Sequence, residues 1–428
     1  MPFGCALLAL IASTRATPRV HSSLGIGEIE PRRSDARAPE LDDAASIADP
    51  RLVVSARVVS KLSGSGARYF SVVDMSRARA FARAEGELWL FARGGQGQRT
   101  SHEEVWTNAT VESFARVEPR AFVQCANLAH NFGVTLTRGH KLIGAGGMFV
   151  RDWKKTAALL ASTAKHRGAD PNKLKLQLIP SFPVDGIWMF EARNRSEVLS
   201  GRWTSPGRNV SQPIPGDHAG CVEEREHFGG ACAFDGRFSL TQHRGMLFLY
   251  ARANTLFEGG GRFVQVTRSA SARGPWSPFQ LLRVEGYDTS AIARGNVYFA
   301  AVNTNPADPS TLLGVFPVLL DRDASISMAL SCDGVHFGNL TRVLRSREAQ
   351  GGRTTDHPVD GFVRRGGLVY WYAHRDVPGI RPTGGGPAVA NQRIVQFAIP
   401  IEALREYTAR ARAALQRRGH CGPPGDSR

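Results

Sequence analysis

Apolar positions along the chain fall in short runs separated by glycine-bearing turns. Residues 238–243 (FSLTQH) and 246–252 (MLFLYAR) flank Arg244-Gly245, which predicts a tight hairpin. Residues 261–282 supply a third strand, a turn and a fourth. The theme returns at 296–302 (NVYFAAV), 312–320 (LLGVFPVLL) and 326–344, and again at 359–375 and 393–400 (RIVQFAIP). Earlier, 131–147 and 184–204 have the same character. The spacing reads as five units of roughly 45 to 60 residues, the size of a four-stranded propeller blade. The segment Ser331-Cys332-Asp333-Gly334-Val335-His336-Phe337 predicts an outer hairpin turn, with Phe337 packing between blades. A pair of β-sandwiches is the competing architecture.

Two stretches keep helical spacing instead. Asp152 to Arg167 predicts a short helical insertion in the first blade region, with Asp152 as N-cap. Ile401, Leu404, Tyr407, Ala411 and Leu415 predict an amphipathic helix after the last strand. The expected fold is therefore all-β, a five-bladed β-propeller with one helical insertion and a C-terminal helix. The expected layout is a signal peptide at 1–17, a flexible stem at 18–50, the propeller at 51–400, and a helix with a basic tail at 401–428.

Composition sharpens this in three places. The chain has 428 residues, with 45 Gly and 24 Pro, an excess that suits many turns and short strands. No apolar run is long enough for a stable membrane span, but residues 3–13 have the length of a signal-peptide core. Four Asn-X-Ser/Thr sequons, at Asn108, Asn194, Asn209 and Asn339, agree with a secreted or secretory-lumen glycoprotein. Cys221 and Cys232 flank a glycine-rich turn and predict a local disulfide. No cysteine–histidine spacing for zinc occurs.

The net charge is +16, from 54 Lys and Arg against 38 Asp and Glu. The arginines are dispersed and no nucleic-acid motif accompanies them, so nucleic acid is not an expected partner. Five of the seven lysines, Lys154, Lys155, Lys165, Lys173 and Lys175, fall in one window with the predicted insertion. A basic flap there would attract an anionic polysaccharide.

The ordered run of HNF at 130–132, GAGG at 144–147, DGIWMF at 185–190, FDG at 234–236, GGRFVQVTRS at 260–269, LLGVFP at 312–317 and SCDGVHF at 331–337 resembles the five-bladed β-propeller glycosidases. These include glycoside hydrolase families 32, 43, 68 and 117. The resemblance spans about residues 125–400. It implies an active site at one end of the central tunnel, fed by acidic residues near the starts of the innermost strands.

Glycoside cleavage needs one carboxyl to protonate the leaving oxygen and another to activate water or attack the sugar. A third acid often tunes the first. The candidates are Asp235 in FDG, Glu285 in VEGYD, and Asp356 and Asp360 in TTDHPVDGF. Asp288, or Glu223, Glu224 or Glu226, are alternative proton donors. Asn131, Asp185, Arg237, His357 and Arg375 are the candidate substrate-binding residues, and Trp188, Tyr250, Tyr287, Trp371 and Tyr372 are aromatic candidates for sugar platforms or inter-blade core. The resembled hydrolases place an Asp where this chain has Asn131, and an amide cannot act as a base. The expected partner is thus a carbohydrate, with cleavage, non-catalytic glycan binding and a protein scaffold as the three readings. No cofactor or catalytic metal is expected, although a structural divalent cation in the tunnel would be compatible. Oligomeric state stays open.

Overall fold

The computed structural model describes residues 43–62, 67–94 apart from 77 and 83, 102–114, 120–123, 132–148, 186–200, 203–208, 236–254, 262–287, 295–349, 353–377 and 391–422. Among them, strands dominate and two helices occur, α1 (Arg195–Leu199) and α2 (Ile401–Arg417). No described helix is long and apolar enough to cross a membrane.

Among the described residues, five sheets of four or more strands follow one another, each mainly antiparallel, with a two-stranded ribbon (Glu348–Ala349 and Arg353–Thr354) before the last. The first runs Arg68–Asp74, Leu88–Gly94, His102–Ala109 and Arg120–Val123. The second runs Gly133–Leu136, Leu142–Met148, Gly186–Ala192 and Thr204–Arg208. The third runs Ser239–His243, Met246–Asn254, Arg262–Ser269 and Gln280–Leu281. In the fourth, Ala301–Thr304 and Gly295–Val297 both pair with Leu312–Leu320, which pairs with Asp323–Ser331. In the fifth, His357–Pro358 pairs with Leu368–Arg375, which pairs with Arg393–Pro400. Its outermost strand, Ser55–Lys61, comes from the other end of the chain.

The first strands of these sheets form a closed ring. Neighbouring inner strands touch from the first sheet to the second and from the second to the third. The third meets the fourth where Ser239 Oγ accepts the Val302 N–H at 2.9 Å. Asn303 of the fourth donates its side-chain amide to Asp360 beside the fifth at 2.6 Å. The ring closes where Asp360 bonds both ways with the first sheet, its N–H to Phe70 O at 3.0 Å and its O from Val72 N–H at 2.6 Å. Sheets set radially about an axis in this way make a β-propeller, and the pair of sandwiches is excluded by the ring closure.

This geometry explains the sequence pattern. Each sheet is covered on both faces, so its middle strands read as continuous apolar runs rather than alternating ones. Leu312–Leu320 is buried at all but its last residue. Among the described residues, an apolar cluster fills each gap between successive sheets. Phe337 sits in such a gap against Tyr250 and Phe316, as its position after the Asp-Gly turn predicted. The hairpin at Arg244-Gly245 also forms, with both residues at positive φ, +48° and +78°.

Helix α2 matches its predicted extent and buries Ile401, Leu404, Tyr407 and Leu415. Its first N–H is taken by Gly367 O at 2.8 Å, since Pro400 offers no side-chain cap. It packs on the fourth and fifth sheets. A disulfide, Cys332–Cys421, ties the segment beyond it to the fourth sheet.

Three expectations fare differently. The helical insertion, the lysine window, Cys221 and Cys232 lie outside the described residues. Residues 43–50, expected in the flexible stem, pack on the body instead. Ile47 pairs with Leu344, and Asp43 holds Arg393 through two bonds of 2.9 Å. Their polarity suggests a solvated chain, but Asp43 is matched by Arg393 and Arg375 on the fifth sheet, and Asp49 accepts the N–H groups of Arg51 and Leu52. The first sheet, finally, precedes the stretch that carries the family resemblance.

Candidate active site

The inner strands start at the same end of the ring, and the first strand there is irregular. Its register with the second strand jumps between Arg68 and Ser71, and Tyr69 between them has φ +57°. A bulge re-aims a side chain, and a non-glycine residue at positive φ persists only where its surroundings hold it. Tyr69 is held by several. Its ring stacks on His357 at 5.6 Å, and its hydroxyl shares a hydrogen bond of 3.0 Å with the Tyr298 hydroxyl. Tyr298 lies against the His357 ring too, at 5.4 Å, and Phe299 meets it edge-on at 5.1 Å. Thus three sheets contribute to one buried aromatic group at the axis.

Arginines surround this group. Arg93 lies 5.4 Å from the Tyr69 centroid, and Arg237 lies 5.8 Å from that of Phe299. Arg252, Arg262 and Arg353 lie 5.4, 5.4 and 5.8 Å from the Tyr298 centroid. Each distance fits a cation–π contact. Burial lowers the proton affinity of Arg68, and the Arg93 and Arg353 guanidiniums act in the same direction. Burial likewise drives His357 well below its usual range, helped by His374, Arg353, Arg68 and Arg237. His357 is therefore a neutral imidazole at physiological pH.

Two carboxyls face Arg237. Asp360 lies 3.5 Å from it and accepts from Asn303. Burial pushes the Asp360 carboxyl up, while Arg237 and Asn303 pull it back. Glu103 is fully buried and is raised well above the carboxylate range, against the opposing pull of Arg237 and Arg93. Arg237 also donates to Ser71 Oγ at 2.6 Å and to Pro358 O at 3.3 Å, so it braces the first and fifth sheets. Several buried polar atoms here have no hydrogen-bond partner among the described residues: Arg68 Nε, Arg237 Nε, Glu103 Oε2 and both ring nitrogens of His357. A native fold satisfies nearly all such atoms, so their concentration at one place marks a site.

The nominated residues divide accordingly. Asp360, Arg237 and His357 come together at the axis. Asp356 and Arg375 lie in a separate buried network. The Arg375 Nε is 3.2 Å from Asp356 Oδ1, which also accepts the Asp376 N–H at 3.0 Å. Ser346 donates to the other Asp356 oxygen at 2.7 Å, and Arg375 donates to Ser46 at 2.7 Å. Both Asp356 oxygens are thus engaged, and Arg375 beside it reaches Ser46 and Asp43. Glu285 is at the outer edge of the fourth sheet, paired with Arg418 beyond α2. Asp235, Asn131, Asp185, Asp288, Glu223, Glu224 and Glu226 lie outside the described residues. Of the nominated aromatics, Tyr250, Tyr287, Trp371 and Tyr372 serve the inter-sheet core.

Sequence reasoning passed over Tyr69, Tyr298, Arg68, Glu103 and the arginines around them. The available signal was the polar tripeptide His102-Glu103-Glu104 at the start of an apolar strand, and arginines at strand ends. Among the described residues no group of three His, Cys, Asp or Glu side chains could hold a metal ion.

Comparison with protein-family models and with curated proteins finds no match. Solved structures do match at low identity. An N-acetylgalactosamine deacetylase from F. plautii, in complex with blood group B trisaccharide, aligns at TM-score 0.45 and 11% identity, over 87% of this chain and 95% of its own. A family 117 glycoside hydrolase from Zobellia galactanivorans aligns at 0.43 and 10%, over 81% and 90%. The α-L-arabinanase of Penicillium chrysogenum, complexed with arabinobiose, aligns at 0.42 and 9%, over 81% and 99%.

Proposed function

We propose that this protein acts on a saccharide at the axial end of the propeller and cleaves it as a glycoside hydrolase does. The observation that carries this reading is the pair Glu103 and Asp360, both facing Arg237 beside the Tyr69–Tyr298 aromatic group. Burial raises both carboxyls, Glu103 well above the carboxylate range, while Arg237 and the Asn303 hydrogen bond oppose the rise at Asp360; unequal environments are how one site obtains an acid and a base at the same pH. Burial keeps Glu103 protonated, so Glu103 gives its proton to the departing glycosidic oxygen. Asp360, supported by Arg237 and Asn303, is the second carboxylate, which activates water or attacks the anomeric carbon. Tyr69 and Tyr298, whose hydroxyls meet at 3.0 Å, supply phenol groups to the sugar.

A second reading is a glycan-binding propeller without turnover. It is favoured by the engagement of Asp356 and the outward place of Glu285, which remove two of the nominated acids from the axis. Secretion accompanies either reading, and the Cys332–Cys421 disulfide and the sequons support it. The test is release of reducing sugar from a glycan panel by the wild type and by Glu103→Gln, with binding measured alongside. Hydrolysis lost in the variant with binding kept supports the hydrolase. Binding without turnover in the wild type supports the second reading instead.

A further inference from the structure

We propose that the axial end contains a subsite for an anionic substituent of the saccharide, a sulfate ester or a uronate carboxylate. The proposal rests on the saccharide reading of the same site and names the class of sugar that it takes. Its ground is a focus of positive charge on one small group of rings. Arg252 and Arg262 come from two strands of the third sheet and Arg353 from a two-stranded ribbon before the fifth, yet all three guanidiniums gather about Tyr298. Arg68, from the first sheet, is close enough to Arg353 for their charges to repel. Like charges gathered at a partly buried place repel one another, and a bound anion lowers that repulsion. A planar guanidinium fork matches a carboxylate or a sulfate and gives far less to a neutral hydroxyl.

An independent observation points into the same place. His357 is 2% exposed, and neither ring nitrogen has a hydrogen-bond partner among the described residues. Its imidazole is neutral, so one nitrogen carries a proton that it can donate. Arg68 Nε is a second buried donor without a partner. Donors left open among clustered cations suit an acceptor that carries negative charge.

The experiment measures equilibrium binding to the full-length wild-type protein. The probes are a neutral oligosaccharide, its sulfated form, a uronate-bearing form of equal length, and inorganic sulfate as competitor. At low salt the acidic forms are expected to bind about ten-fold or more tightly than the neutral one, a difference of about 1.4 kcal/mol or more. The preference should persist in large part as salt rises, because charges buried at the axis are screened far less than exposed ones. Comparing the sulfated and uronate arms identifies the anion, and competition by sulfate places it in the subsite. Arg353→Gln and Arg68→Gln should each reduce the ratio of acidic to neutral affinity, whatever either does to sugar binding as a whole. Equal affinity for neutral and acidic sugars at low salt overturns the proposal, and so does a preference unchanged in both variants. Where a variant fails to fold, the wild-type comparison of neutral and acidic sugars decides alone. Acidic preference without turnover retains this subsite and rejects hydrolysis. Turnover of neutral sugars without acidic preference does the reverse.

Discussion

Glu103 and His374 show what burial does to single ionisable groups at the axis. Glu103 is raised well above the carboxylate range, with burial the dominant cause. The native protein therefore holds a proton that the unfolded chain releases near pH 4.3. Stability must then fall as pH rises from that value through the folded pKa of Glu103. Glu103→Gln is expected to flatten this limb of the melting temperature against pH, and an unchanged slope would remove the argument for a protonated donor. His374 acts on the acid side. Burial lowers it to about 3, whereas an unfolded histidine titrates near 6.5. The unfolded chain thus binds the extra proton, and stability should drop as pH falls from about 6.5 toward about 3. A His374→Gln variant should lose part of that drop; a full drop in the variant would assign it elsewhere. Neither residue's role was legible in the sequence, because burial of a charged side chain depends on which distant strands meet around it. Arg237, His357 and Asp360 could be named from the sequence, since Arg237 precedes the inner strand Ser239–His243 and the other two begin and follow His357–Pro358.

At the scale of elements, ring closure depends on one glycine. Gly361 has φ +115°, and a Cβ there would stand 2.1 Å from Val72 O. Gly361→Ala must break the seam between the fifth and first sheets, at a cost of about 3 kcal/mol or more. Gly367→Ala is the control, with nothing within 4 Å of its Cβ, and should change stability by no more than about 0.5 kcal/mol. Thermal melts of the two variants decide; similar losses would mean that the seam is not what Gly361 protects. The second element prediction concerns the Cys332–Cys421 bond, which spans 89 residues. By the chain-entropy estimate such a loop contributes roughly 4 to 5 kcal/mol. Reduction should lower the denaturation midpoint accordingly, and non-reducing peptide mapping should recover the linked pair. The hairpin at Arg244-Gly245 and helix α2 were legible because their signals are local: a turn dipeptide and an apolar stripe. The pairing of Cys332 with Cys421 was not, because it depends on where α2 docks.

Among the described residues, the last sheet of the ring is completed by a strand that precedes the first sheet in sequence. Ser55–Lys61 pairs along Arg393–Pro400, and Asp43 and Ser46 engage Arg393 and Arg375 on the same sheet. Removing residues 43–61 should expose that sheet's edge and lower the unfolding temperature of the entire protein in one step. A truncated chain that melts as the full chain does would show that the closure is decorative. The propeller itself was readable from repeated strands, but the first sheet was overlooked. Its strands, such as Leu88–Gly94, are as apolar as the others but lack the Asp-Gly turns that revealed the later units. The central claim is that the axial group is where a saccharide binds and is cut. A crystal structure of Glu103→Gln with a bound oligosaccharide tests it most directly. The account predicts the sugar against Tyr69 and Tyr298, with its scissile oxygen beside residue 103 and Asp360 on the anomeric carbon's side. A saccharide seated at any other face of the propeller, with the axial group closed, would contradict it.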